Sequence, residues 1–310
     1  MMNKRGYLLQ SRCYLKKGVE RMNQIVGFIG TGVMGKSMVR RLLAHGYDVR
    51  IYTRTKEKAE DLLTEGATWV DSIASLANQV DVVITMVGYP KDVEEVYLGE
   101  GGIVQNAKAG TYLIDMTTSK PSLAKQIYEI AASHSLHALD APVSGGDIGA
   151  REGTLAIMVG GDETAFHTIQ PIFQALGKNI VFQGEAGSGQ YTKMCNQIAI
   201  ASNMMGVCEA LAYAKKVGLQ PENVLKSIES GAAGSWSLSN LVPRMIKEDY
   251  SPGFYIKHFI KDMSIALESA KEMGLQTPGL ELAKSLYDEL ANQGEENSGT
   301  QALIKWYLST

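Results

Sequence analysis

An α/β domain on a mainly parallel, doubly wound sheet, followed by an all-helical domain, is the fold class this sequence predicts. Three observations predict it. Between residues 24 and 182 short apolar runs alternate with segments of helical periodicity, the pattern of a parallel sheet covered on both faces. The first run leads directly into Gly30-Thr31-Gly32-Val33-Met34-Gly35, a G-x-G-x-x-G turn from strand to helix. After Gly184 the strand signal stops, and long helical periodicities take over, punctuated by Gly218, Pro221, Gly274 and Pro278.

Residues 25–29 read as a buried strand and 33–45 as a helix, which Gly46 ends by supplying a left-handed C′ backbone. A strand over 49–52 and a helix over 56–65 follow. Further strands are expected near 68–70, 81–85, 111–115, 136–140, 154–159 and 180–182. Helices near 72–78, 122–133 and 163–176 separate most of them. Beyond a junction near 184–189, helices are expected over 189–217, 221–230, 236–247, 258–273 and 278–293. The chain then divides into residues 1–23 outside the core, a dinucleotide-binding domain over 24–186 and a helical domain over 187–310.

Composition bounds the function. A chain of 310 residues, 45% hydrophobic and 20% charged, suits two globular domains. A net charge of −3 lacks the basic footprint of a nucleic-acid binder. Cys13, Cys195 and Cys208 are too few for a disulfide framework and suit a reducing compartment, so a cytoplasmic protein is expected. Cys195 is expected as a small buried side chain. The apolar stretch 194–208 is shorter than the ~20 residues of a membrane span, and Asn196, Gln197, Ser202 and Asn203 interrupt it, so it reads as a buried helix. Basic residues concentrate at the start: Lys4, Arg5, Arg12, Lys16, Lys17 and Arg21 stand against Glu20 alone. With no secretory apolar core, this segment reads as a transit peptide or, preferably, as an extension upstream of a working start at Met22.

The glycine turn has a mechanical reading. Gly30 permits the tight turn, Gly32 lets backbone approach a pyrophosphate, and Gly35 lets the helix pack against the strand. Thr31, Val33 and Met34 complete the loop, whose helix start offers free N–H groups to phosphate. An acid at the end of the second strand would bind the ribose hydroxyls of NAD. This chain has Tyr52-Thr53-Arg54-Thr55 instead. Arg54 suits a 2′-phosphate, with Thr53 and Thr55 as hydroxyl donors, so NADP is expected over NAD. Met86 and Val87, after the 81–85 strand, and Thr118, after the 111–115 strand, are expected to line the same groove, since ligands sit beyond the carboxyl ends of such strands.

Two further segments carry chemistry. In Asp140-Ala141-Pro142-Val143-Ser144-Gly145-Gly146, two glycines after a serine expose successive N–H groups that can hold a carboxylate. In 187–197, Lys193, Asn196 and Gln197 share one helix face by their i, i+3 and i+4 spacing. A desolvated lysine there can serve as acid or base near neutral pH. Five histidines without a His/Asp/Glu cluster predict no metal site.

Together with Phe259-Ile260-Lys261-Asp262, these motifs occur in the order seen in the β-hydroxyacid dehydrogenases, which the chain resembles from about Gln24 to its end. The resemblance implies a Rossmann domain, a helical domain, and hydride transfer between a nicotinamide cofactor and a small 3-hydroxy acid or its semialdehyde. It implies Lys193 as the general acid/base, Ser144, Gly145 and Gly146 as the carboxylate clamp, and Asn196 as the substrate-orienting amide. It further implies Lys261 as the lysine reaching the cofactor, Thr118 as a cofactor contact, and a homodimer or homotetramer. Asp262 either orients the neighbouring chain or is a plain helix-surface acid. Where many members carry two adjacent asparagines, this chain has Asn196-Gln197, which puts the fine substrate geometry in question. Trp236, after Gly231-Ala232-Ala233-Gly234-Ser235, either closes over a small substrate beside the clamp or packs in the helical core. Phe254, Tyr255 and His258 are expected as packing residues. The alternatives are a non-catalytic NAD(P)-binding interaction module and a 6-phosphogluconate dehydrogenase-like enzyme. Lys193 argues against the first; the position of Asn196 and the short helical domain argue against the second.

Overall fold

The computed structural model describes residues 24–309, so the basic segment 1–23 and its reading as leader or extension lie outside the described residues. One sheet of nine strands organises the first half. The strands are β1 (Ile25–Ile29), β2 (Asp48–Tyr52), β3 (Thr68–Trp69), β4 (Val82–Thr85), β5 (Tyr112–Asp115), β6 (His137–Asp140), β7 (Val143–Ser144), β8 (Leu155–Gly161) and β9 (Gly177–Gly184). Their order is β3-β2-β1-β4-β5-β6-β8-β7, with β9 on β8. Strands β1 to β6 pair in parallel; β8 runs antiparallel to β6 and β7 and parallel to β9. This is the expected doubly wound sheet with an antiparallel margin.

Alternation along the strands makes two cores. Val26 and Phe28 of β1 and Val82 and Ile84 of β4 pack with Met38 and Leu42 on one face. Ile29 and Val83 pack with Tyr97, Leu113 and Ile127 on the other. Successive side chains of a strand point to opposite faces, so a strand covered by helices on both sides reads as a continuous apolar run. The register also aligns the strand ends: Ile29 lies beside Tyr52 and Thr85, Thr85 beside Asp115, and Asp115 beside Asp140. Polar residues therefore share one row at the carboxyl edge of an apolar sheet.

Several elements go beyond the sequence reading. Helices Pro90–Leu98, Ile103–Asn106, Gly146–Glu152 and Ile304–Ser309 were not expected. The first has a legible start, with Pro90 at its first turn and the Asp92 carboxylate accepting from Tyr89 N–H at 3.0 Å. The others span two turns or fewer, too short for periodicity to register. The expected helix over 56–65 is a 3₁₀ turn, Lys56–Ala59, followed by the α-helix Glu60–Thr64.

The second half is helical. Ser188–Lys216 runs through it and buries Met194, Ala201, Met204, Met205, Cys208 and Leu211 against Met245, Phe259, Met263 and Tyr287. Cys208 is buried, whereas Cys195 is exposed, contrary to expectation. The helical repeat explains this: Met194 takes the inward position and turns its neighbour outward. Among the described residues no helix is long and apolar enough to cross a membrane.

Candidate active site

The glycine turn shows why each glycine is there. Gly30 has φ of +97°, and a Cβ on it would lie 2.3 Å from Met86 O. A Cβ on Gly35 would lie 2.0 Å from Gly30 O, so helix and strand approach at backbone distance. At Gly32 a Cβ would meet nothing within 4 Å, which leaves its backbone open to a ligand. The helix Val33–Ala44 begins with no side-chain cap and no acid in its first turn, so its leading N–H groups are available to an anion. The Thr31 hydroxyl beside them is buried and has no hydrogen-bond partner. A free helix start, an open backbone and an orphaned hydroxyl fit the pyrophosphate of a dinucleotide. Met34 packs against the core, and Val33 is exposed.

Around this turn the loops after β4 and β5 are tied together. Thr117 Oγ1 accepts from Val87 N–H at 3.0 Å. Asp115 Oδ1 accepts from the Thr85 hydroxyl at 2.8 Å and from Thr117 N–H at 3.0 Å. Burial pushes the Asp115 carboxyl up to about 6, against the lowering effect of those hydrogen bonds. Met86 and Val87 thus stand between the glycine turn and the β5 loop, with Thr118 one residue beyond Thr117. At the end of β2, Thr53 is half-buried, while Arg54 and Thr55 are exposed. The Arg54 guanidinium lies 3.6 Å from Asp92 Oδ1.

The helical domain is pinned to this edge by residues the sequence reading left without a role. Asp140, at the end of β6, accepts from Gly187 N–H at 2.7 Å and Gln190 N–H at 2.8 Å, so a buried carboxylate caps the long helix. Its carboxyl is raised by burial, against the hydrogen bonds that hold the ionised form. Gln190, fully buried, donates to Thr117 O at 2.8 Å and accepts from Ser119 N–H at 2.9 Å. Both residues lie inside motifs singled out by sequence. A buried amide tying a helix to one distant loop leaves no mark in a linear pattern.

This seating carries Lys193 into the interior. Its amine is buried and donates to Val143 O at 2.9 Å, on the short strand that leads into Ser144-Gly145-Gly146. Burial lowers the ammonium to about 8; Asp262 opposes that shift and Lys261 adds to it. Gly145 and Gly146 have φ of +129° and +63°, a backbone that favours glycine, and Gly146 opens the helix Gly146–Glu152 rather than continuing a loop. Lys261, from the helix Ile256–Glu272, donates across the domain junction to Thr118 O at 2.7 Å. Asn196 is half-buried and donates to Gln197 Oε1 at 2.7 Å. Asp262 is buried, which rules out a plain surface acid.

The structure therefore brings together the glycine turn, Met86, Val87, Thr118, Lys261, Lys193, Asn196 and Ser144-Gly145-Gly146 at one end of the sheet. Trp236 stands apart from that network. It is 67% exposed at the start of the helix Trp236–Ile246, which excludes packing in the helical core. His258 and Tyr255 meet edge-on, and Tyr89 of the first domain reaches the His258 ring. Among the described residues no group of His, Cys, Asp and Glu comes together that could hold a metal ion.

Residues 25–184 match the family model described as the NAD binding domain of 6-phosphogluconate dehydrogenase, and 187–307 that of the NAD-binding region of NADP-dependent 3-hydroxyisobutyrate dehydrogenase. The chain is 66% identical over 287 residues to an uncharacterized oxidoreductase, YkwC, of Bacillus subtilis, covering 93% of this chain and all of that protein. It is 39% identical to the 2-hydroxy-3-oxopropionate reductase of Escherichia coli, covering 90% of this chain and 96% of that one. Among solved structures, Mycobacterium tuberculosis 3-hydroxyisobutyrate dehydrogenase with L-serine superposes with a TM-score of 0.85 at 29% identity, covering 92% of this chain and 99% of that chain.

Proposed function

Because the chain belongs to the β-hydroxyacid dehydrogenase family of NAD(P)-dependent oxidoreductases, we propose that it interconverts a small 3-hydroxy acid and its semialdehyde, with NADP(H) preferred and Lys193 as general acid/base. The observation that carries this reading is the buried Lys193 amine, held by Val143 O at the entrance to Ser144-Gly145-Gly146. A carboxylate bound by the clamp N–H groups places the neighbouring carbons of a short acid beside that amine. The nicotinamide, when bound, supplies or takes up hydride at the reacting carbon. Lys193 gives its proton to the carbonyl oxygen in reduction and takes the hydroxyl proton in oxidation. Asn196 keeps its side-chain carbonyl and one N–H to orient the substrate. Trp236 lies on the surface, where a bound substrate would reach it only if the 231–235 turn closes.

The experiment is a panel of glyoxylate, succinic semialdehyde, methylmalonate semialdehyde and tartronate semialdehyde, assayed with NADPH and with NADH. Cofactor oxidation with at least one aldehyde is expected; none across the panel would favour a non-catalytic binding module. Arg54 supports the NADP preference because no carboxylate ends β2 and its side chain is 83% exposed at that edge. Arg54→Ala is expected to raise KM for NADPH about ten-fold or more, as for a lost charge-assisted hydrogen bond, and to leave KM for NADH unchanged. Equal effects on both cofactors would remove the 2′-phosphate role.

A homodimer or homotetramer is proposed on the exposed apolar side chains Tyr213, Val217 and Leu219 at the end of the long helix. Light scattering at micromolar concentration tests it, and a monomer there sinks it. Free Cys195 and Cys208 support a cytoplasmic setting. The Ser144-Gly145-Gly146 backbone and the amine of Lys193 support a small carboxylate as partner, and the net charge of −3 supports the absence of nucleic acid.

A further inference from the structure

Gln197 and Asp262 form the buried part of a polar chain that the assigned chemistry does not use. Asn196 Nδ2 donates to Gln197 Oε1 at 2.7 Å, and Gln197 Nε2 donates to Asp262 Oδ2 at 2.6 Å. The Lys261 ammonium lies 3.0 Å from Asp262 Oδ1, and it donates to Thr118 O at 2.7 Å. Gln197 is fully buried and Asp262 is 2% exposed. Asp262 Oδ1 has no well-aligned hydrogen bond, so this carboxylate has unused acceptor capacity beside the lysine. Lys193 lies one turn before Gln197 on the same helix.

We propose that Gln197 and Asp262 are positioning residues, which join the substrate-orienting Asn196 to the cofactor-side Lys261 and give Lys193 and Lys261 one shared buried counter-charge. The inference rests on the proposed function for the roles of Asn196 and Lys261. Geometry supplies the reason for glutamine. Its carbonyl must meet an amide on the adjacent residue while its N–H₂ reaches a carboxylate on another helix. Asparagine is one methylene shorter from the same backbone and cannot span both contacts. The departure from the Asn-Asn pattern is then a functional lengthening. The bond to Gln197 also fixes which face of the Asn196 amide turns to the cleft, because one N–H is already committed. Asp262 needs its partners: a buried carboxylate without hydrogen bonds or a cation is strongly disfavoured. The charged groups acting on Lys193 are Asp262, which favours its ammonium form, and Lys261, which opposes it.

Three variants test the proposal: Gln197→Asn, Gln197→Met and Asp262→Asn. Gln197→Met keeps length and volume, so it is the variant expected to fold if the others do not. Thermal melts confirm folding. In kinetics with a turned-over aldehyde, Gln197→Asn and Gln197→Met are expected to raise the substrate KM about ten-fold and leave kcat within about three-fold, the signature of a lost binding geometry. The second readout needs neither cofactor nor turnover. The Lys193 titration is followed by NMR of the free protein carrying 13C-labelled lysine, with the resonance assigned by Lys193→Arg. Asp262→Asn is expected to lower its midpoint by about one pH unit through loss of the counter-charge. An unmoved midpoint in a folded Asp262→Asn protein overturns the shared counter-charge. An unmoved substrate KM in both folded Gln197 variants overturns the positioning role. If the parent turns over no aldehyde, the functional reading has failed, and the NMR midpoint still decides the counter-charge.

Discussion

Lys193→Ala is expected to lower turnover by roughly 10²–10⁴-fold, the range for losing a positioned acid/base, with cofactor binding retained. The amine's hydrogen bond goes to Val143 O on the short strand before Ser144-Gly145-Gly146 and to no residue of the glycine turn, so its removal should spare the dinucleotide site. Lys193→Arg is expected to be nearly as inactive, since a guanidinium does not release its proton near neutral pH. The pH profile adds a second signature. With the ammonium lowered to about 8, reduction needs the protonated form and should fall as pH rises through 8. Oxidation needs the neutral amine and should rise through the same window. The same burial has a stability consequence. Between about 8 and the ordinary 10.5 the unfolded chain holds more protons at this residue than the folded one. Its contribution therefore becomes more favourable as pH rises across that window. Lys193→Ala should show no loss of thermal stability at pH 7, because it removes a desolvated cation. Steady-state kinetics and dye-free melts check these expectations, and near-parental turnover in Lys193→Ala would falsify the acid/base assignment.

Gly189→Ala is expected to disturb the seat of the whole helical domain. In an ordinary helix the change would stabilise by roughly 0.5–1 kcal/mol. Here a Cβ would lie 2.4 Å from Met158 O, 2.5 Å from Asp140 O and 2.9 Å from Asp140 Oδ2. Two of those atoms are backbone of sheet strands, which cannot rotate away. The first turn of the long helix must then lift off β6 and β8, stretching the Asp140 bonds to Gly187 and Gln190. A net loss of about 3 kcal/mol is expected, the scale of overpacking a tight site, or a fall in Tm of roughly 5 °C for a chain of this size. Activity should fall with it even at temperatures where the protein stays folded, because Lys193 is one turn further along. A melt within a degree of the parent would show that the junction tolerates a side chain.

The two domains differ in how openly the sequence displays them. Val82 to Ile84 form an uninterrupted apolar run because helices cover both faces of β4, and Gly30 to Gly35 are spaced by the geometry of one turn. Such patterns arise within a few residues of chain, so they can be read without knowing what folds against them. Lys193 and Asn196 were legible for the same reason, as neighbours on one helix face. Asp140 and Gln190 were not assigned roles, although both lie in motifs that drew attention. Their partners are 47 and 71 residues away, and nothing local distinguishes a buried cap or bridge from a polar loop residue. The short helices Ile103–Asn106 and Gly146–Glu152 escaped because one or two turns carry no usable period. Cys195 was misjudged because hydrophobic density around a position does not say which way that position faces.

Fold class, the dinucleotide turn and the membership of Lys193 in a helix all follow from short-range patterning of apolar, glycine and charged residues. Whether that lysine is an ordinary surface ammonium or a buried group near 8 is set elsewhere. It depends on Asp140 capping the helix, on Gln190 tying that helix to the loop after β5 and on Asp262 arriving from a helix more than sixty residues later. Desolvation and Coulomb interaction are properties of the space around a group, and that space is assembled only when distant segments pack.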